Sequence, residues 1–237
     1  MGAGETFSID EELVRISGKQ NPVALFIPTA SGDPDDYVEL FKHTYGDRLG
    51  CRISTLKVAT DDLSRPEIAD LISAADLIYV GGGNTKEMIR RWKELGIDVL
   101  LKEHLDKGKP AGGLSAGAIC WFRVGNSDWP QYENVPGVNT AELKALGFVD
   151  LAICPHTRDE GFRLSEFKTM MRGIPGGGIG LDDGCAIQID GDKYRIIASQ
   201  PNSFAHHIGW KDGECKERIL EAHRAFRQLA ELQQVPV

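Results

Sequence analysis

Short apolar runs, each closed by a Pro or Gly turn or by polar residues and followed by an amphipathic stretch, recur through the first half of the chain. That order restricts the fold more than any other feature. Val23-Ala24-Leu25-Phe26-Ile27 stops at Pro28, Ile53 to Val58 forms a second run, and Asp76-Leu77-Ile78-Tyr79-Val80 a third. Runs this short and this apolar read as strands buried on both faces. Between them, Asp35 or Asp36 caps a helix whose Val38, Phe41 and Tyr45 recur at spacings of three and four. Ser64-Arg65-Pro66-Glu67 is a capping box with Pro in the first turn, and it opens a helix through Ile72. Asn84-Thr85-Lys86-Glu87 opens another to about Leu95, and Ile97 to Lys107 reads as a third, with Gly108 just past its end. Alternation of this kind predicts an α/β fold with a mostly parallel sheet covered on both faces.

The pattern changes toward the end. Ala186 to Ile189 and Tyr194 to Ala198 alternate apolar and polar residues around Asp190-Gly191-Asp192, which predicts a β-hairpin. Glu217 to Gln233 is expected to be a charged helix, with Ile219, Leu220, Ala222, His223, Phe226 and Leu229 near one face. The stretch Val124 to Thr140, rich in Gly, Asn, Pro, Trp and Tyr, reads as a long loop bordering a site. No repeat or long linker divides the 237 residues, and a single domain over 1–237 is expected.

Composition excludes several classes. The net charge is −8, so the chain lacks the field that gathers nucleic acid or anionic lipid. No apolar run reaches the roughly 18 to 20 residues of a membrane helix. Five cysteines, Cys51, Cys120, Cys154, Cys185 and Cys215, lie far apart without a C-x-x-C pair. That argues against a disulfide framework and a zinc knuckle. The first ten residues lack the basic start and apolar core of a secretory signal. Met1-Gly2-Ala3-Gly4-Glu5-Thr6 fits the loose myristoylation pattern, for which a Gly-rich turn is the plainer reading. A cytoplasmic protein without metal or cofactor is expected, with a homodimer as a compatible state.

Gly113-Leu114-Ser115-Ala116-Gly117 fits G-x-S-x-G between a short strand and the helical start Ala118-Ile119-Cys120-Trp121-Phe122. A serine on such a turn projects from the carboxyl edge of the sheet, and the Ala116 N–H at the helix start is free to hold an oxyanion. Gly81-Gly82-Gly83-Asn84 follows another strand and opens another helix. Gly83 reads as the second oxyanion donor and Asn84 as a substrate contact, with a phosphate cradle or a plain turn as competitors. Serine needs a base. His156 follows the run Leu151-Ala152-Ile153-Cys154-Pro155 and so stands at a strand end, where a doubly wound sheet collects functional groups. His206-His207 reads as a solvated pair in a late connection, and His43, His104 and His223 fall on amphipathic helices. Asp182 and Asp183, in Leu181-Asp182-Asp183-Gly184, are alternative acids for the base, and spacing does not choose between them. Arg158, Arg163 and Arg172 follow His156, Arg123 follows the serine turn, and each could meet a substrate carboxylate.

At these residues the chain resembles the peptidase E family of serine peptidases, the aspartyl dipeptidases, in the branch labelled type 1 glutamine amidotransferase-like. The matching stretches are Phe26 to Asp33, Tyr79 to Thr85, Gly113 to Phe122, Cys154 to His156 and Leu181 to Ile187, in the expected order. The resemblance implies a three-layer α/β fold like the class I glutamine amidotransferase domain. It also implies a triad of Ser115 as nucleophile, His156 as base and Asp183 as acid, with Asp182 in reserve. Gly83 and Ala116 would supply the oxyanion hole. Family members often carry Glu where Asp183 stands, so the shorter acid must lie closer to the imidazole. Relatives also carry an apolar strand before the first Gly-rich turn, where this chain has Gly2-Ala3-Gly4-Glu5. The activity implied is hydrolysis of dipeptides with N-terminal Asp. The alternatives are a cyanophycinase-like β-aspartyl peptidase and a non-catalytic domain that binds a small metabolite. A glutaminase, which needs Cys at the place of Ser115, is disfavoured.

Overall fold

The computed structural model describes residues 6–158 and 161–237. The Met1–Thr6 acylation pattern and the Gly2 to Glu5 start therefore lie mostly outside the described residues. The chain divides into two compact units, one of Asp10–Cys120 and the other chiefly of Trp121–Val237. Among the described residues no helix is long and apolar enough to cross a membrane.

The N-terminal unit contains a four-stranded parallel sheet. After helix α1 (Phe7–Ile16) come β1 (Val23–Ile27), α2 (Asp35–Phe41) running into a π-helical turn (Lys42–Arg48), and β2 (Arg52–Thr55). Then follow α3 (Arg65–Ala74), β3 (Leu77–Val80), α4 (Thr85–Leu95), α5 (Ile97–Asp106), β4 (Ala111–Gly113) and the single turn α6 (Ala116–Ile119). Strand order is β2-β1-β3-β4. The chain moves one way from β1 to β2 and then back past β1 to β3. Right-handed crossovers in opposite directions place helices on opposite faces, and the reversal makes the carboxyl ends of β1 and β3 the switch point of this sheet. The second strand is shorter than Ile53 to Val58 because its pairing with β1 ends at Thr55. The capping box at Ser64 forms as its sequence predicts.

The core of this sheet is aromatic. Phe26 stacks on Phe41 with centroids 4.5 Å apart, and Phe41 stacks on Tyr45 at 4.3 Å. The buried Tyr45 hydroxyl donates to Asp10 Oδ1 at 2.8 Å, which gives the α1 carboxylate a partner away from water. Burial and neighbouring negative groups push the Tyr45 phenol well above its usual range. At the sheet edge two backbones nearly touch. A Cβ on Gly113 would lie 2.4 Å from the Val80 carbonyl oxygen, and one on Gly117 only 2.1 Å from it.

The C-terminal unit has a six-stranded mixed sheet and a three-stranded antiparallel one. Its elements are β5 (Phe122–Ser127), α7 (Trp129–Tyr132), β6 (Ala141–Lys144), β7 (Val149–Cys154), α8 (Arg163–Met171), β8 (Gly177–Leu181), β9 (Cys185–Asp190), β10 (Lys193–Ala198), β11 (Ala205–Lys211), β12 (Glu214–Leu220), β13 (Arg227–Gln228) and α9 (Ala230–Gln233). β5, β7 and β8 run parallel, and β11 joins β8 antiparallel. α8 packs Phe167 and Met171 against Val124, Ala152, Cys154 and Ile208. The predicted hairpin is β9–β10, joined by Gly191-Asp192 with Lys193 opposite Asp190.

Several expectations are corrected. Glu217 to Gln233 is not one helix: Glu214 to Leu220 is a strand, and only Ala230–Gln233 is helical. Asp212 (φ 53) and Gly213 (φ 81) form a two-residue turn of the kind that joins twisted strands, and it commits the following segment to pairing with β11. The Ser115 helix lasts one turn and Phe122 already belongs to β5, so the expected loop from Val124 begins as a strand and contains α7. His206 and His207 lie in β11 rather than a solvated connection, and His223 stands outside any helix, while His104 lies on α5 as expected and is buried there.

His207 shows what burial does to an imidazole. Its Nε2 faces the carbonyls of Leu232 at 3.1 Å and Gln234 at 2.9 Å, and its Nδ1 stands 3.4 Å from the Arg218 guanidinium. Nε2–H donating and Nδ1 accepting is the neutral ring. Burial lowers its pKa below the ordinary 6.5, and the Arg218 charge acts in the same direction. The unfolded chain then binds a proton that the folded chain refuses, so stability is fully present above 6.5 and is lost as pH falls toward the lowered value. His104 is shifted in the same direction, again by burial first. His207→Gln should flatten the fall in melting temperature between about pH 7 and pH 5, read by thermal unfolding across that range. An unchanged slope would remove His207 from the linkage. Gly117→Ala should cost about 3 kcal/mol or more, because the obstructing atoms are backbone. Gly161→Ala, where a Cβ meets nothing within 4 Å, is the control for denaturant unfolding.

Candidate active site

In the N-terminal unit the expected residues gather at the carboxyl edge of the parallel sheet. Ser115 follows β4 with φ 55 and ψ −116, a conformation that L-residues avoid and that costs on the order of 1–3 kcal/mol. Leu114 N–H donates to the Val80 carbonyl at 3.3 Å, and the amides of Ala118 and Ile119 bond back to the Ser115 carbonyl at 2.9 Å. These contacts over-determine the turn and hold the serine in it. The Gly81–Gly83 loop lies alongside, since a Cβ on Gly82 would come within 3.2 Å of Ser115 Cβ. Gly83 has φ 134, and a Cβ there would lie 2.2 Å from the Ala30 carbonyl oxygen, so no side chain fits. Among the described residues neither the Gly83 N–H nor the Ala116 N–H donates within the chain.

Asn84 has a visible structural task. Its Oδ1 caps α4 by accepting from Glu87 N–H at 3.2 Å, and its N–H donates to the Ala30 carbonyl at 2.7 Å. Tyr37, which carries no sequence signal, supports the glycine loop: its hydroxyl accepts from Gly82 N–H at 3.3 Å. Burial raises the Tyr37 phenol, so it stays protonated. Cys120 is fully buried and its thiol is pushed well above its usual range, which leaves it unreactive.

In the C-terminal unit β7 ends at Cys154 and β8 at Leu181, so both turns leave the carboxyl end of neighbouring parallel strands. His156 Nδ1 stands 2.6 Å from Asp183 Oδ1, and both side chains are about one-quarter exposed. Asp182, the neighbouring residue, does something else. It is buried, and its Oδ1 accepts from Thr157 Oγ1 at 2.8 Å and lies 3.1 Å from His206 Nε2. The chain thus separates the two acids that spacing left open.

The arginines diverge. Arg163, at the start of α8, is 1% exposed with its guanidinium 3.7 Å from the Asp128 carboxylate. Arg158 donates to the Asn202 carbonyl at 3.0 Å and to Ser203 Oγ at 3.4 Å. Arg172 lies over the Trp210 ring at 5.3 Å, a packing role, and Arg123 pairs with Asp150 at 2.6 Å. Sequence reasoning missed Asp128 and Thr157, which become visible only through their partners. Among the described residues no cluster of His, Cys, Asp or Glu could hold a metal ion.

Comparison with known proteins agrees with the architecture. The model of Peptidase family S51 matches residues 1–197. The uncharacterized peptidase YgaJ of Bacillus subtilis (strain 168) is 34% identical over 218 residues, 90% of this chain and 89% of the relative. The Drosophila melanogaster protein named probable alpha-aspartyl dipeptidase is 29% identical over 193 residues, 74% of this chain and 72% of its own. A crystal structure of a candidate peptidase E from Listeria monocytogenes EGD-e superposes with a TM-score of 0.63 at 27% identity, covering 82% of this chain and 94% of that one. The strained serine turn, the histidine–aspartate pair and the whole-length likeness converge on one conclusion: the chain belongs to Peptidase family S51 and is a peptidase.

Proposed function

We propose that the chain hydrolyses short peptides, foremost dipeptides with N-terminal Asp, through an acyl-enzyme on Ser115. The observation that carries this reading is the 2.6 Å approach of Asp183 Oδ1 to His156 Nδ1. A carboxylate at Nδ1 keeps a proton on that nitrogen and leaves Nε2 with its lone pair as the base.

In this reading Ser115 Oγ gives its proton to His156 Nε2 and attacks the scissile carbonyl carbon. The carbonyl π pair moves onto oxygen, and the oxyanion meets the N–H groups of Gly83 and Ala116. Asp183 stabilises the imidazolium. The imidazolium then returns the proton to the departing amine as the C–N bond breaks. Water, deprotonated by the same imidazole, releases the acyl group and restores the hydroxyl. The α-aspartyl specificity draws on the name of the Drosophila melanogaster relative. A substrate carboxylate calls for a cation, and the exposed Arg158, in the segment after His156, supplies it. This reading sets the chain in the cytoplasm, where substrates of this size are met.

Ser115→Ala should lower turnover of Asp-Leu by on the order of 10⁴-fold, measured beside wild type by release of free leucine. A fluorophosphonate probe should label wild type at Ser115 and leave that variant unlabelled. Cleavage of β-Asp-Arg in preference to Asp-Leu and Asp-Ala would move the reading to the cyanophycinase-like alternative. Full activity of the Ala variant would end the serine mechanism.

A further inference from the structure

Asp182 is 5% exposed, stands beside the proposed catalytic acid and is not used by the mechanism. A buried carboxylate costs several kcal/mol unless donors surround it. Here they do. Thr157 Oγ1 donates at 2.8 Å and Phe204 N–H at 3.0 Å, and His206 Nε2 lies 3.1 Å away. His206 is held in turn: its Nδ1 lies 2.9 Å from Glu217 Oε1, and Glu217 Oε2 accepts from Lys168 Nζ at 2.6 Å. A line of polar contacts therefore runs from Lys168 on α8 through Glu217 on β12 and His206 on β11 to Asp182.

The far end of that line is Thr157, the residue after His156. His156 has φ 60, a left-handed conformation that a residue with a side chain keeps only when its surroundings enforce it. Thr157 provides the enforcement twice, with its N–H on the Leu181 carbonyl at 3.1 Å and its hydroxyl on Asp182. Its methyl also fills the space left by Gly180, where a Cβ would lie 2.9 Å from Thr157 Cγ2. Two consecutive residues thus grip two consecutive residues. Asp183 holds the His156 ring, and Asp182 holds the Thr157 hydroxyl.

We propose that Asp182, oriented by His206, is a positioning residue that aligns the His156 imidazole with Asp183 through the Thr157 hydroxyl. The inference rests on the reading of His156 and Asp183 as base and acid. It extends that reading to three residues that touch no reacting atom.

The test uses Thr157→Val, which keeps shape and removes the hydroxyl, with His206→Gln as a second route and Thr157→Ser as rescue. Two quantities are read: kcat and KM on Asp-Leu, and the far-downfield proton resonance of an imidazole N–H shared with a carboxylate, assigned by its loss in His156→Ala. Thr157→Val and His206→Gln should lower kcat roughly tenfold to a hundredfold with KM little changed. Both should shift or broaden the resonance, and Thr157→Ser should restore both signals. A lowered melting temperature with wild-type kcat and an unmoved resonance overturns the proposal, because the contacts are then merely structural. If His156→Ala and Asp183→Ala stay active on Asp-Leu, the dyad reading fails and the proposal falls with it. If those two are inactive while Thr157→Val matches wild type, only the positioning role is lost. The resonance decides even if Asp-Leu is a poor substrate.

Discussion

Everything at the functional edge of the N-terminal unit follows from how closely two backbones approach at the Val80 carbonyl. Gly113 and Gly117 both face that oxygen, at separations that exclude even a methyl group. The pairing of Val80 with Gly113 fixes the register of β4, and the return of the chain at Gly117 then leaves Leu114, Ser115 and Ala116 to reverse direction in very little space. A turn this tight places its central residue in a disallowed region, which is where Ser115 sits. The same turn leaves the Ala116 amide at the head of α6, where a helix has no acceptor for its N–H. The strained backbone of Ser115 and the availability of the N–H that follows it are therefore two consequences of one tight reversal.

The C-terminal unit meets the same need by other means. His156 also carries a positive φ. Hydrogen bonds hold the turn, through the Thr157 N–H and hydroxyl, Asp182 and His206. The two turns are therefore held by different kinds of constraint, one steric and one polar. The serine turn keeps its geometry as long as β3 and β4 remain paired. The histidine turn is held by groups that each depend on a donor or acceptor being present, and it stays fixed only while the network is complete.

Local features of this molecule were legible in the sequence and distant ones were not. The strands around Phe26 and Tyr79, the capping box at Ser64 and the turn at Ser115 depend on residues a few positions apart, so period and turn chemistry identify them. The segment from Glu217 deceived because Ile219, Leu220, His223, Phe226 and Leu229 do fall near one helical face. What decides its state lies before it, in Asp212-Gly213, and in the strand it pairs with. His207 looked solvated beside its twin because alternation along a strand is invisible until the strand is recognised; β11 then turns one imidazole inward and leaves the other among carboxylates. Asp182 and Asp183 could not be ranked for a related reason. Adjacent residues after a strand point apart, and which of them meets His156 is set by the turn after β7, 27 positions earlier in the chain.

The resemblance raised a question that the geometry answers. Where relatives often carry Glu, this chain has Asp183, a side chain shorter by one carbon–carbon bond of about 1.5 Å. The 2.6 Å contact shows that the shorter side chain still reaches the imidazole from this backbone. The turn is drawn in from several sides: Ser203 Oγ donates to the Asp183 carbonyl at 2.7 Å, Asp182 N–H to the Phe204 carbonyl at 3.0 Å, and Ser199 N–H to the Gly184 carbonyl at 2.8 Å. Gly184 lies under Ser199 and Ser203, with φ 73 and little room for a Cβ. The shorter acid and these ties belong together, since releasing the turn would carry Asp183 out of reach. Lengthening the side chain on the present backbone would drive a carboxylate into the imidazole. Asp at this position is therefore one half of an arrangement whose other half is the segment from Ser199 to Phe204.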